Sequence, residues 1–99
     1  MKTESENRGY LLDFSDGYFD DVERHIKSGQ KKVIEKIKVL LFEIQSHPTI
    51  GTGKPEAFKG YGERWVYSRR IDQKHRLVYE IFEEERIVEV LACYGHYED

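Results

Sequence analysis

The sequence predicts a small α+β domain in which a helical hairpin packs on one face of a mostly antiparallel, twisted sheet. Three observations lead to this prediction. A short apolar strand is followed by two amphipathic helical stretches. A long glycine-rich segment then separates the helices from the rest of the chain. The last third contains three strand-like runs joined by short polar turns, and strands joined so closely pair antiparallel.

The first elements are a strand over residues 10–14 and a helix that begins after Ser15. Ser15 is a suitable N-cap, because its hydroxyl can accept a hydrogen bond from a free amide of the first turn. Gly29 suits the C′ position at the end of this helix, where glycine adopts a left-handed conformation readily. The predicted buried face has apolar residues at three- and four-residue spacing: Phe19, Val22 and Ile26.

A second helix follows the Gly29 turn directly, so the two helices form an αα-hairpin. Pro48 ends this helix, because proline cannot continue it. Its polar residues lie mostly around the opposite side. Its apolar stripe consists of Val33, Ile37, Leu40, Leu41 and Ile44.

The segment from Ile50 to Gly62 contains four glycines and one proline and is predicted to be a loop, longer than a simple hairpin connection. Three strands follow, over residues 63–71, 75–82 and 86–94. They are rich in aromatic and β-branched residues, which strands prefer. The predicted element order is therefore β-α-α-β-β-β.

Length and composition favour a single domain over residues 10–99, preceded by a polar tail over residues 1–9 that we expect to be disordered. The sequence has no apolar run of about eighteen residues and no secretion signal, so we expect a cytoplasmic protein without a membrane span. The single cysteine, Cys93, cannot form an internal disulfide. We expect no metal and no cofactor.

Charge is distributed unevenly along the chain, whose net charge is −3. Between Lys54 and Arg76, seven basic residues and three acidic ones give +4, so the remainder sums to −7. Such segregation can concentrate an anionic ligand on one surface. An ordinary solvated surface explains the same charges about equally well.

The predicted turn over residues 72–74 brings two arginines face to face. In the register that this turn implies, Arg70 lies opposite Arg76, and like charges opposed on a sheet are destabilising. An anion, or a carboxylate such as Glu56, would relieve the repulsion. Because Arg69 and Arg70 alternate faces, we expect at least one of them to form an ordinary surface ion pair.

The glycine-rich segment and the C-terminus carry the other candidate groups. We expect Pro55 to hold Lys54 in an extended conformation and to stiffen the approach to Glu56, a candidate general base. His96 can exchange a proton near neutral pH, and Tyr97 offers a ring for stacking and a hydroxyl for hydrogen bonding. A solvated loop carboxylate and a disordered chain end are the alternatives for these residues.

Together these groups suit cleavage of RNA without a metal, because the RNA's own 2′-hydroxyl is the nucleophile. Glu56 would remove the hydroxyl proton, Arg70 and Arg76 would stabilise the charged phosphorane, and His96 would protonate the departing 5′-oxygen. Tyr97 would orient a base or the phosphate. The other histidines are expected to be structural or surface residues: His25, His47 and His75.

Four motifs, in this order and spacing, resemble the YoeB/Txe toxins of the RelE/ParE superfamily: GTGKPEAFKG, W-x-x-SRRI, HRLVYE and a His-Tyr pair near the end. The resemblance covers residues 10–97. It implies a RelE-like fold and the toxin component of a bacterial type II toxin–antitoxin system. It also implies a ribosome-dependent endoribonuclease, or mRNA interferase, which cuts mRNA in the ribosomal A site and so inhibits translation.

The resemblance implies a role for each matched residue. Glu56 falls on the general base, His96 on the general acid and Tyr97 on a nucleotide contact. Arg76 falls on a catalytic arginine near the scissile phosphate, and Arg70 on a second arginine there. With the lysines of the glycine-rich motif, the RNA- or phosphate-binding set is Lys54, Lys59 and Arg70.

The implied partners are a cognate antitoxin of the YefM/Axe type, partly disordered until it binds, and the 70S ribosome with its rRNA and mRNA. Monomer and homodimer both remain open. Two alternatives to the ribonuclease are a non-enzymatic inhibitor of DNA gyrase of the ParE type and a catalytically inactive partner-binding module. The acid–base set disfavours the gyrase inhibitor, because a pure binder needs no acid and base beside its cations.

Overall fold

A computed structural model of the chain describes residues 9–58 and 61–95. It confirms the predicted α+β class, with a helical hairpin on a mostly antiparallel sheet. The structure adds one element to the predicted order, a two-residue strand inside the glycine-rich segment. The elements are β1 (Leu11–Phe14), α1 (Asp16–Lys27), α2 (Lys31–Ser46), β2 (Glu56–Ala57), β3 (Val66–Arg70), β4 (Arg76–Phe82) and β5 (Ile87–Ala92).

The five strands form one sheet in the order β1-β5-β4-β3-β2. β1 pairs with β5 in parallel, and the other three pairings are antiparallel. The connection between β1 and β5 spans the whole domain, so the last strand lies inside the sheet beside the first. The end of β5 is thereby surrounded by other elements of the chain.

The core lies between α2 and the sheet. The predicted stripe of α2 is confirmed, because Val33, Ile37, Leu40 and Ile44 are buried and Leu41 is half-buried at its edge. Burying each such side chain stabilises the fold by about 1.5–3 kcal/mol. Across the interface they meet buried residues of β4 and β5: Leu77, Tyr79, Ile81, Val88 and Val90.

The predicted buried face of α1 is confirmed at Val22, which is half-buried against the core, and is wrong at Phe19 and Ile26. Phe19 and Ile26 are 55% and 60% exposed, whereas Tyr18 and His25 are buried. The helix is rotated by about one residue because its N-cap is bonded to the sheet. The Ser15 hydroxyl donates to the Leu91 carbonyl at 2.9 Å and accepts from the Tyr18 amide at 3.2 Å. One side chain therefore both caps α1 and sets its orientation against β5.

Several predicted features lie outside the described residues. The disordered tail predicted over residues 1–9 falls outside them except for Gly9, where a Cβ would clash with the Gln45 carbonyl oxygen. His96, Tyr97 and Lys59 also lie outside the described residues. Within those ranges, no helix has the length and apolar character needed to cross a membrane.

Candidate active site

The candidate site lies on the sheet face opposite the helices. Side chains alternate between the two faces along a strand, and Leu77 and Tyr79 point into the helix-covered core. Ser68, Arg70 and Arg76 alternate with these core positions in the β3–β4 pairing, so their side chains lie on the opposite face of the sheet. Arg70 and Arg76 are directly opposed in the β3–β4 pairing, as the turn over residues 72–74 predicts.

Glu56 joins this face through the short strand β2, which pairs antiparallel with β3 and sets Glu56 opposite Ser68. Its Oε1 lies 3.4 Å from Nη2 of Arg76. The Glu56 side chain is 61% exposed, whereas that of Arg76 is only 15% exposed. The carboxylate therefore stands at the solvent side of a largely covered guanidinium, where an incoming ligand can reach both.

Ser68 orients the Arg76 guanidinium. Its hydroxyl oxygen accepts hydrogen bonds from Nε at 3.0 Å and from Nη2 at 2.8 Å. Two bonds to one oxygen fix the plane of the guanidinium, which restricts the direction in which its remaining hydrogens point. Sequence reasoning missed this role, although the position of Ser68 two residues before Arg70 on the same strand face was a usable signal.

Arg70 and Lys54 supply uncompensated positive charge. Both are exposed, and within the described residues neither side chain makes a hydrogen bond or an ion pair. With Arg76, three cations of the described chain lie around the Glu56 carboxylate and its neighbours. An excess of positive charge beside a carboxylate suits an anionic ligand whose hydroxyl proton is to be removed.

The extended conformation predicted for Lys54 is wrong. Its φ is +52°, in the left-handed region. The Arg70 amide donates to the Gly53 carbonyl at 2.7 Å, so the chain must turn sharply between this bond and the start of β2. Gly53 permits the approach, because a Cβ there would lie 2.9 Å from the Arg70 carbonyl oxygen.

The expected surface ion pair is also wrong for Arg69, which is fully buried. Its Nη1 donates to Glu43 Oε1 at 2.9 Å, and its Nε donates to the Tyr79 hydroxyl at 3.1 Å. The helix layer covers this face of β3, which is why Arg69 cannot reach solvent. Its other bonds go to three carbonyl oxygens of the segment that leads to Glu56: His47, Ile50 and Thr52.

Arg69 and Thr52 together fix the Glu43 carboxylate. Thr52 donates to it through its hydroxyl at 2.7 Å and its amide at 2.9 Å. These bonds, with a smaller contribution from Arg69, hold the pKa of Glu43 below its ordinary value. The start of the glycine-rich segment is thus tied to α2 and β3, which gives Glu56 a rigid support.

The C-terminal strand ends beside Arg76. The Arg76 amide donates to the Gly95 carbonyl at 2.8 Å, and Gly95 is the last residue that the structure describes. Helix α1 holds the same segment from the other side. The Cys93 amide donates to Asp21 Oδ2 at 2.9 Å, and His25 Nε2 donates to the Cys93 carbonyl at 2.8 Å.

The geometry therefore brings Glu56, Arg70 and Arg76 to one open face, with Lys54 beside Arg70 in a cleft at its edge, and the described chain ends next to Arg76. The placements of His96, Tyr97 and Lys59 remain predictions. Across residues 9–58 and 61–95, no three His, Cys, Asp or Glu side chains are grouped so that they could hold a metal ion.

Comparison with known proteins shows which family the chain belongs to. The family described as "YoeB-like toxin of bacterial type II toxin-antitoxin system" matches residues 14–97. The chain is similar to Toxin YoeB of Streptomyces coelicolor, with 40% identity over 84% of this chain and 93% of that protein.

Solved structures extend the likeness to the fold. A YoeB/ParE toxin from Agrobacterium tumefaciens is 34% identical, with a TM-score of 0.77 over 88% of this chain and 99% of that one. YoeB of Staphylococcus aureus is also 34% identical over 89% of this chain and 98% of that one. Its TM-scores are 0.75 in a structure titled as a dimer and 0.71 in a heterotetrameric YoeB–YefM complex. The chain belongs to the YoeB-like toxins of bacterial type II toxin–antitoxin systems.

Proposed function

We propose that this toxin is a ribosome-dependent endoribonuclease that cuts mRNA in the A site by metal-independent acid–base catalysis and so inhibits translation. The observation that supports this proposal most directly is the placement of the Glu56 carboxylate 3.4 Å from the Arg76 guanidinium on an open, cationic face. A base and a cation so arranged can contact the 2′-hydroxyl and the phosphate of one nucleotide together.

In the proposed reaction, Glu56 accepts the proton of the 2′-hydroxyl while the 2′-oxygen bonds to phosphorus. Arg76, which Ser68 orients, stabilises the negative charge that develops on the phosphorane oxygens, and Arg70 adds to it. The bond from phosphorus to the 5′-oxygen then breaks, and His96 gives that oxygen a proton. The products are a 2′,3′-cyclic phosphate and a free 5′-hydroxyl.

The remaining residues of the predicted site contribute to RNA binding. Tyr97 stacks on a base or orients the phosphate, and Lys54 and Lys59 contact neighbouring phosphates. Lys54 is exposed near Glu56, as such a contact requires. These contacts are electrostatic and weaken as salt rises.

The test is mRNA cleavage on purified ribosomes, with 5′ ends mapped by primer extension. Glu56→Gln, Arg76→Ala and His96→Ala should each lower the cleavage rate by at least about a hundredfold, the lower range for a positioned acid or base. Glu85→Gln is the matched control, because this exposed carboxylate lies in the β4–β5 turn, at the opposite end of β4 from Arg76. Equal rates for Glu56→Gln and Glu85→Gln would contradict the assignment of the base.

Induction of the toxin alone in bacteria separates the proposed function from its alternatives. Growth arrest with codon-phased cuts in mRNA supports the ribonuclease. Arrest with DNA damage and intact transcripts would instead indicate a gyrase inhibitor. Normal growth would indicate an inactive partner-binding module.

We further propose that a partly disordered antitoxin of the YefM/Axe type neutralises this toxin, and that the free toxin forms a homodimer. The solved YoeB–YefM complex and the YoeB dimer of S. aureus support these partners. Action on the 70S ribosome and its mRNA places the toxin in the cytoplasm. Light scattering of the free chain and of the co-expressed pair measures both assemblies.

A further inference from the structure

Gly95 is held on both sides by the first residues after the β3–β4 turn. Its carbonyl accepts from the Arg76 amide at 2.8 Å, and its amide donates to Nδ1 of His75 at 2.8 Å. We call these two hydrogen bonds the tail latch. Gly95 has a φ of +77°, which glycine tolerates and which turns the chain at this point. The backbone at Gly95, the last described residue, is thereby held by His75 and Arg76.

The latch fixes the protonation state of His75. An imidazole nitrogen can accept the Gly95 amide only when it carries no proton, so His75 is neutral with its hydrogen on Nε2. A charged imidazole would present a hydrogen at Nδ1 to the hydrogen of the Gly95 amide. The bond would then be lost, and the two donors would repel each other.

The groups around His75 favour its neutral form. The side chain is buried, with its residue 8% exposed, and burial is the main cause that lowers its pKa. The positive groups Arg24 and Lys74 and the neighbouring His25 lower the pKa further, while Asp72 raises it. Protons can still reach the ring, because a cleft of about 500 Å³ opens beside it between the α1–α2 turn and the β3–β4 turn.

Packing holds the His75 ring in place for this bond. The ring centroids of His25 and His75 lie 4.6 Å apart at an interplanar angle of 90°, and that of Tyr94 lies 4.7 Å from His75. The Arg24 guanidinium lies over the Tyr94 ring at 3.6 Å. His25 of helix α1 thus packs against the His75 ring. Tyr94, which follows β5, packs against the same ring and directly precedes the Gly95 amide.

We propose that His75 is a positioning residue for the reaction proposed above: its neutral imidazole binds the Gly95 amide and so aims the backbone from which His96 extends toward the phosphate. This inference rests on the proposed function, in which His96 is the general acid. Protonation of His75 opens the latch and releases the backbone that leads to both His96 and Tyr97, while Glu56, Arg70 and Arg76 keep their contacts. The step that depends on His96 then slows more than RNA binding weakens, because Tyr97 is one of several binding residues.

Two substitutions separate the hydrogen bond from ring packing. His75→Phe keeps a ring against His25 and Tyr94 but has no acceptor. His75→Asn loses the ring, yet its Oδ1 is as many bonds from Cα as Nδ1 and accepts a hydrogen bond at any working pH. His47→Asn is the matched control, because His47 is exposed and distant in sequence from the latch.

The first measurement is independent of activity: the NMR shift and hydrogen exchange of the Gly95 amide as a function of pH. In the unaltered chain the Gly95 shift should follow the titration of the His75 ring. In His75→Phe the amide should exchange about tenfold faster, the equivalent of one ordinary hydrogen bond, and its pH response should vanish. The Asn variant should keep the protection and lose the pH response, while His47→Asn should match the unaltered chain.

The second measurement is kcat and KM for cleavage on ribosomes. His75→Phe should lower kcat about tenfold or more, with a smaller rise in KM through Tyr97, and His75→Asn should restore most of kcat. Equal impairment of both variants, or a Gly95 amide indifferent to His75, would overturn the inference. If the unaltered chain cuts no mRNA, the proposed function and the positioning role of His75 fail together, even where the amide data still show the latch.

Discussion

Replacement of Arg69 by methionine should be among the most destabilising single changes in this chain. Arg69 is fully buried, and its guanidinium is bonded to Glu43, Tyr79 and the carbonyl groups of three residues in the segment after α2. Methionine retains most of the aliphatic part of the side chain, but it has no group that can donate hydrogen bonds to those acceptors. The loss is therefore one of hydrogen bonding and charge rather than of volume.

The magnitude follows from the groups that lose their partner. Tyr79 still donates to the Pro48 carbonyl at 2.6 Å, and Glu43 keeps both bonds from Thr52. Three backbone carbonyls lose a hydrogen bond from the buried, charged guanidinium, and each such bond contributes about 1–3 kcal/mol. The low end gives a total of about 3 kcal/mol, within the range of about 3–5 kcal/mol for breaking a buried ion pair.

Urea denaturation followed by circular dichroism measures this difference, with Arg70→Met as the matched control. Arg70 is the exposed neighbour on the opposite face of β3, so its replacement should change the free energy of unfolding by no more than about 0.5 kcal/mol. For a domain of this size, the Arg69 variant should also melt at least about 12 °C lower. Equal stability of the two variants would refute the view that Arg69 holds the segment before β2.

Two further predictions concern acid stability and the chain end. Because its folded pKa lies below the ordinary value, Glu43 contributes stability that is present above its unfolded pKa and is lost as pH falls through the folded pKa. The Glu43→Gln variant should thus be less stable at neutral pH. Its free energy of unfolding, measured by urea titration, should decline less steeply between about pH 5 and 3. A decline as steep as in the unaltered chain would contradict this role of Glu43. Deletion of residues 96–99 should abolish mRNA cleavage with little change in melting temperature, whereas deletion of only Glu98 and Asp99 should retain cleavage. Cleavage by the longer deletion would show that His96 is not the acid.

Periodic features of this fold were predictable from sequence, and features set by single long-range hydrogen bonds were not. The stripe of α2 and the opposition of Arg70 and Arg76 follow from repeat length and turn length, which are local properties. The orientation of α1 depends on the Ser15 bond to Leu91, 76 residues away, and no local pattern encodes it. A two-residue strand such as β2 is too short to show the alternating pattern by which a strand is predicted.

The residues of the candidate site show the same difference between what could and could not be predicted from the sequence. Glu56 and Arg76 could be brought together from motif content and strand register, and the structure places them in contact. The alternation of Arg69 and Arg70 was visible, but the sequence does not state which face the helices cover. Ser68 and His75 act by orienting other groups, and such roles become apparent only when hydrogen-bond partners are known.

The position of β5 has a consequence for biosynthesis. β1 and β4 both pair with β5, and α1 is bonded to it, yet β5 is translated after every other strand. The nascent polypeptide therefore lacks the partner of its earliest strand until β5 has been synthesised. The hydrogen bond between the Arg76 amide and the Gly95 carbonyl cannot form before that moment, although Glu56 and Arg76 lie on strands that are made earlier.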